Sequence, residues 1–298
     1  MRVRVAIALA LAALALPALA KDTIGLSVST LNNPFFVTLR DGAKAAAVKA
    51  GLDLVVLDAQ DKVDKQVADI EDLVQKKVRV ILVNPTDSAA VVPAIVKANA
   101  AGVPVITVDR AASGGAVAFH IASDNVAGGR SAGEYVCKML KGKGKVVELE
   151  GIPGSSAARD RGQGFNAYLK SSCAGVAVVA RQTANFDRAQ GLSVMENVLQ
   201  AQKAIDAMFA HNDEMALGAL QAIKASKRPI KVVGFDATDD AVKAVNACSM
   251  AATVAQQPAE MGRLSVEKAA AIVKGAKAPE KTEFIPVALK MVTNAKCK

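Results

Sequence analysis

Tryptophan is absent from this 298-residue chain, tyrosine occurs twice, and aromatic residues together make up only 3%. A nucleic-acid surface built on aromatics interleaved with basic residues is therefore excluded, and the net charge of +9 reads as lysines spread over solvated helical faces. Histidine is as scarce as tyrosine. His120 and His211 have no nucleophile and acid at motif spacing, so both read as structural and an enzyme is disfavoured. None of the four cysteines stands in a CxxC or near a histidine at metal-ligand spacing, so no metal is expected. Gly151-Ile152-Pro153-Gly154-Ser155-Ser156 lacks both the GK[ST] ending and the GxGxxG spacing, and reads as a strand-to-helix turn. No cofactor is expected. A Gly/Ser-rich linker is missing too, which points to lobes joined by ordered crossovers rather than by a tether.

What is present begins with an export signal. Arg2 and Arg4 precede an apolar run over residues 5–16, which is shorter than the ~20 residues a bilayer-spanning helix needs. Pro17-Ala18-Leu19-Ala20 then carries the small-residue cleavage pattern. Cleavage after Ala20, a mature chain from Lys21 and a periplasmic location are expected; loss of the two arginines lowers the net charge from +9 to +7. In an oxidising compartment four cysteines favour two disulfides, for which three pairings are open. We expect Cys137 with Cys173, tying successive helices, and Cys248 with Cys297, fastening the C-terminal tail.

Hydrophobic residues make up 52% of the sequence, enough for sizeable cores, and the length suggests two of them. From Thr23 onward short β-branched apolar runs alternate with amphipathic segments of helical length. That alternation predicts an α/β fold of two Rossmann-like lobes, each a parallel sheet covered by helices on both faces. Helices are expected over 34–50, 64–77, 88–101, 125–140, 156–172, 188–202, 213–224, 239–246 and up to about 274, with one last strand over 284–292. Asn33 and Pro34 supply a cap and first turn for the first helix, and Gly51 its end.

Parallel sheets bind ligands at the carboxyl ends of their strands. There the sequence places Ser29, Asn33, Phe35 and Phe36, then Asn84, then Asp109 and Arg110, and in the second half Arg161, Phe186, Asn212, Phe235, Asp236 and Gln256. Each residue alone has a bland reading: Phe186 or Phe235 as core, Asn33 or Asn212 as helix cap, Asp109 or Asp236 as a turn residue. Jointly they describe one chemistry. Asp, Asn, Gln and Arg suit vicinal hydroxyls, which donate and accept, and phenyl rings suit the C–H faces of a sugar. A neutral polyol fits acids and bases together better than an anion does.

The same residues carry a resemblance. Ser-Thr-Leu-Asn-Asn-Pro-Phe-Phe at 29–36, Ile-Leu-Val-Asn-Pro-Thr-Asp-Ser at 81–88, Asp109-Arg110 and His-Ile-Ala-Ser-Asp-Asn at 120–125 are similar to the periplasmic ribose-binding proteins of sugar ABC transporters. So are Ser-Ala-Ala-Arg-Asp-Arg-Gly at 156–162, Asn-Phe-Asp-Arg at 185–188, Asn-Asp-Glu-Met-Ala-Leu-Gly-Ala-Leu at 212–220 and Val-Gly-Phe-Asp at 233–236. The resemblance implies two lobes with three crossovers, 21–123 plus 257–285 and 124–256 plus 286–298, closing like a hinge on D-ribose held by the thirteen strand-end residues. It implies a monomer whose closed form is read by an inner-membrane permease, with a chemoreceptor as a further candidate reader. Ala237 stands where relatives often have Gly, Asn185 where Asp is common, and the four cysteines are additional. Another pentose, allose or a furanose remains open as ligand. A sugar-sensing transcription regulator of the same fold would need a helix-turn-helix where the export signal stands.

Overall fold

The computed structural model describes residues 21–297. The export signal expected at 1–20 and its expected cleavage site lie outside the described residues.

Two six-stranded sheets organise the chain, each with helices on both faces. The first has the order β11-β5-β4-β3-β1-β2, from β1 (Thr23–Val28), β2 (Asp53–Asp58), β3 (Ile81–Val83), β4 (Val105–Val108), β5 (Val117–Ala122) and β11 (Glu283–Pro286). The second has the order β12-β10-β9-β8-β6-β7, from β6 (Gly144–Glu150), β7 (Val176–Thr183), β8 (Ala207–Ala210), β9 (Lys231–Asp236), β10 (Ala252–Ala255) and β12 (Lys290–Thr293). All pairings are parallel except β10 with β12. The chain passes between the sheets three times, at 123–124, 256–257 and 287–289.

Apolar residues of the first sheet pack on one face against α1 (Pro34–Ala50) and α9 (Pro258–Val273), and on the other against α2 (Val63–Gln75) and α3 (Val92–Ala100). The second sheet is covered by α4 (Asn125–Met139) and α5 (Ser156–Ser172) on one face. On the other lie α6 (Arg188–Ala201), α7 (Asp213–Ser226) and α8 (Asp239–Asn246). The α1 helix starts as its sequence dictates: Asn33 Oδ1 accepts from Phe35 N at 2.9 Å, Pro34 fills the first turn, and Gly51 ends it at φ 74°.

Two expectations need correction. The single last strand is two short ones in different sheets, because the third crossover, begun by Val287 N donating to Ala122 O, interrupts it after Pro286. The third helix starts at Val92 rather than 88, because Asp87 Oδ1 accepts from Ala89 N and Ala90 N, both at 2.8 Å, and holds a turn first. Cys137 is paired with Cys173 across the ends of α4 and α5, and Cys248 with Cys297, the pairing expected.

Candidate functional site

The carboxyl ends of both sheets face each other across a cleft that is shut. Ser88 N donates to Gly154 O at 3.0 Å, and Ala111 N to Ser156 Oγ at 2.8 Å, from the first lobe to the second. Behind these contacts lies a narrow cavity of about 10 Å3. From the first lobe Asn33, Phe35, Phe36, Asp109 and Arg110 line it; from the second come Arg161, Phe186, Asn212 and Asp236, with Gln256 at the crossover. All ten are more than nine-tenths buried. A larger open groove between α1 and α9, bordered by Ala45, Ala46, Ala50, Ala270 and Ala271, carries no comparable set of buried polar groups and is not the site.

Three of the thirteen expected residues are not in the wall. Ser29 and Asn84 lie beneath it: Ser29 N and Oγ donate to Asn84 Oδ1 at 3.2 and 2.7 Å. Asn84 Nδ2 donates in turn to Val108 O and to Asp109 Oδ2, both at 3.1 Å, so the pair aims the Asp109 carboxylate. Phe235 lies in the core on the α4 and α5 face, with the Arg161 guanidinium 3.9 Å from its ring centroid. Alternation along β9 explains this, because Phe235 and Asp236 are neighbours and their side chains leave opposite faces.

The guanidiniums are fixed by their surroundings. Arg161 Nε donates to Asn125 Oδ1 at 2.8 Å and Nη1 to His211 O at 2.5 Å, and Nη1 stands 3.6 Å from Asp236 Oδ1. Arg110 stands between the rings of Phe36 and Phe186, 5.1 and 5.0 Å from their centroids, so it is clamped by an aromatic from each lobe. Phe186 reaches this place because Gly151 leaves room: a Cβ there would stand 2.0 Å from the ring. Asp109, Phe186 and Asp236 have φ of 64°, 60° and 120°, backbone strain gathered at the cavity.

Burial dominates the electrostatics. It pushes the Asp236 carboxyl up to about 7, against the opposing charge of Arg161 and a 2.8 Å bond from Gln256 Nε2. Asp109 is raised for the same reason, with Arg110, Arg161 and Asn84 opposing. Burial lowers both arginines, and the facing carboxylates oppose that. Behind Asp236, Asp213 is raised well above its ordinary value by burial and then by Asp236, while Thr253 Oγ1 and Thr238 N donate to it at 2.7 and 2.8 Å. Asp109 Oδ1, Arg110 Nε and Gln256 Oε1 are buried without a hydrogen-bond partner, Arg110 Nε standing 3.8 Å from Asp109 Oδ2. One carboxylate oxygen, one cationic donor and one amide oxygen therefore stay open to donors and acceptors entering the cavity.

Sequence reasoning missed Ala157, which lines the cavity without polar side-chain chemistry, and the polar groups behind it. Gln66 Nε2 donates to Asn84 O at 2.9 Å and Gln66 Oε1 accepts from Thr86 N at 2.7 Å, while Asn125 orients Arg161. The histidines are held as structural groups: His120 Nδ1 lies 3.0 Å from Thr107 Oγ1, and His211 pairs with Glu148.

Comparison with known families decides what this arrangement belongs to. The family model described as the periplasmic binding protein domain matches residues 24–277. The chain belongs to the periplasmic binding protein family. Among its relatives, the ribose import binding protein of Haemophilus influenzae is 51% identical over 274 residues, with 92% of each chain covered. That of Escherichia coli K12 is 51% identical over 276 residues, again with 92% of each covered. Among solved structures, the myo-inositol binding protein of Caulobacter bound to myo-inositol has a TM-score of 0.88 at 33% identity, covering 95% of this periplasmic binding protein and 97% of that one. A carbohydrate transporter solute binding protein from Agrobacterium radiobacter in complex with D-arabinose has a TM-score of 0.87 at 29% identity, covering 93% and 96%.

Proposed function

We propose that this chain captures D-ribose in the periplasm by closure of two lobes and delivers it, without chemical change, to an ABC-transporter permease in the inner membrane. The observation that carries the reading is the cavity itself. Two guanidiniums, two carboxylates, Asn212 and Gln256 converge between Phe35, Phe36 and Phe186, and Asp109 Oδ1, Arg110 Nε and Gln256 Oε1 are open. Hydroxyls both donate and accept, so a polyol satisfies such a mixed set where an anion would not. The ribose import relatives, at 51% identity over nine-tenths of the chain, favour ribose among monosaccharides.

In this reading Asn33, Phe35, Phe36, Asp109, Arg110, Arg161, Phe186, Asn212, Asp236 and Gln256 touch the sugar, while Ser29, Asn84 and Phe235 hold those that do. The lobes are 21–123 plus 257–285 and 124–256 plus 286–298, and the protein is a monomer cleaved after Ala20. The closed form, with Ser88 and Ala111 of one lobe fastened to Gly154 and Ser156 of the other, is the state read by the permease. Small-angle scattering tests it. Ribose should lower the radius of gyration of the ligand-free protein, and an unchanged radius argues against closure.

A further inference from the structure

Behind the cavity, within the second lobe, lies a buried hydrogen-bonded pair to which the binding reading gives no task. Glu148 sits in the middle of β6 and His211 follows β8, and neither side chain is exposed at all. The Glu148 carboxylate accepts from His211 Nε2 at 2.9 Å, from Asn166 Nδ2 at 2.9 and 3.0 Å, and from Arg181 Nε at 2.9 Å. Burial pushes this carboxyl up, yet the His211 and Asn166 bonds and the Arg181 charge outweigh it and hold Glu148 below its ordinary value. An ionised carboxylate only accepts, so His211 Nε2 carries the hydrogen and the ring has one orientation. Phe209 at 5.4 Å between centroids and Gly162, where a Cβ would stand 3.2 Å from the ring, confine it further.

The backbone of His211 joins this pair to the cavity. Its N donates to Leu149 O at 2.9 Å, and its carbonyl accepts the 2.5 Å bond from Arg161 Nη1. The next residue, Asn212, has its Oδ1 accepting from Met215 N at 3.0 Å and its Nδ2 donating to Phe186 O at 3.2 Å. One residue thereby fixes a carbonyl that directs a cavity guanidinium and the start of a segment that places two further cavity side chains. Stability alone gives weak reason for burying a carboxylate in such a cluster, since replacing buried charged clusters by apolar groups is often neutral or stabilising. We propose that Glu148 and His211, held by Asn166 and Arg181, are positioning residues for sugar binding that set the direction of Arg161 and Asn212. The inference rests on the reading of the cavity as a ribose site.

The test uses the full mature protein, its His211→Leu, His211→Gln and Arg181→Leu variants, D-ribose calorimetry, melting temperature and the Arg161 side-chain Nε–Hε resonance. His211→Leu should weaken ribose binding on the order of tenfold, the scale of one charge-assisted hydrogen bond. It should also move the Arg161 resonance in the sugar-free protein. His211→Gln keeps a donor for Glu148 and should return affinity to within about threefold of the parent. Arg181→Leu, at a half-exposed side chain that puts the fold at little risk, should weaken binding about threefold by loosening Glu148. A lowered melting temperature with parent affinity and an unmoved Arg161 resonance in the Leu variants overturns the proposal, as does equal loss in His211→Leu and His211→Gln. Absence of ribose binding by the parent protein refutes the ribose reading instead, and the sugar-free Arg161 resonance still decides the positioning role.

Discussion

Arg161→Ala is the perturbation that the geometry constrains most. The guanidinium stands 3.6 Å from the Asp236 carboxylate in a cavity where both are about 95% buried. At that distance two unit charges interact by roughly 4–5 kcal/mol at an effective dielectric near 20, against roughly 1 kcal/mol in water. Closure moves the pair from the second condition toward the first, so about 3 kcal/mol of the attraction is realised only on binding, a factor of roughly 10² in affinity. Loss of a charged donor to a sugar hydroxyl adds about 1.5–3 kcal/mol. Together, at about 4.5–6 kcal/mol, these put the weakening for ribose between about two-thousandfold and twenty-thousandfold, read by titration calorimetry. Within the second lobe Arg161→Ala also removes the bonds to Asn125 and His211. At about 1–2 kcal/mol that lowers the melting temperature by a few degrees and leaves the protein folded at 25 °C. A folded variant that binds ribose within threefold of the parent would refute the assignment of Arg161 to the site.

Other consequences are checked more simply. Burial in the shut cavity pushes the Asp236 carboxyl up to about 7, so this group favours the shut form below its ordinary carboxylate range and loses that contribution as pH rises through 7. Scattering from sugar-free protein should therefore report a more compact average at pH 5 than at pH 8, and an expanded average at pH 5 would contradict this. The Cys248–Cys297 bridge closes a sequence separation of 49 residues. Replacing both cysteines by serine should cost up to about 4 kcal/mol and lower the melting temperature by about 7 °C. Ala237 has a φ of 57°, which glycine adopts without strain. Ala237→Gly should thus raise stability in thermal denaturation by about 0.5–1 kcal/mol, the left-handed strain relieved less the added chain entropy.

Which parts of the molecule were legible in the sequence follows from what neighbours in a chain reveal. Strand ends are punctuated by turns, so residues such as Asn33, Asp109 and Asn212 could be assigned to the cleft from position alone. Side-chain direction could not, which is why Ser29, Asn84 and Phe235 were placed in a wall they support from behind. Gln66 looks like any polar residue of an amphipathic helix, and only the tertiary fold turns it onto Asn84. Glu148 did carry a signal, a charge in the middle of an apolar strand. The division of the last segment into β11 and β12 depends on two sheets that are distant in sequence, and Pro286 alone does not announce it.

Titration calorimetry of the mature protein with D-ribose, with D-allose, L-arabinose and myo-inositol in parallel, tests the central claim most directly. We expect saturable 1:1 binding of ribose, tighter than that of the other three, with the sugar recovered unchanged. Binding of another of these sugars with no heat for ribose, or conversion of the sugar, would contradict the account.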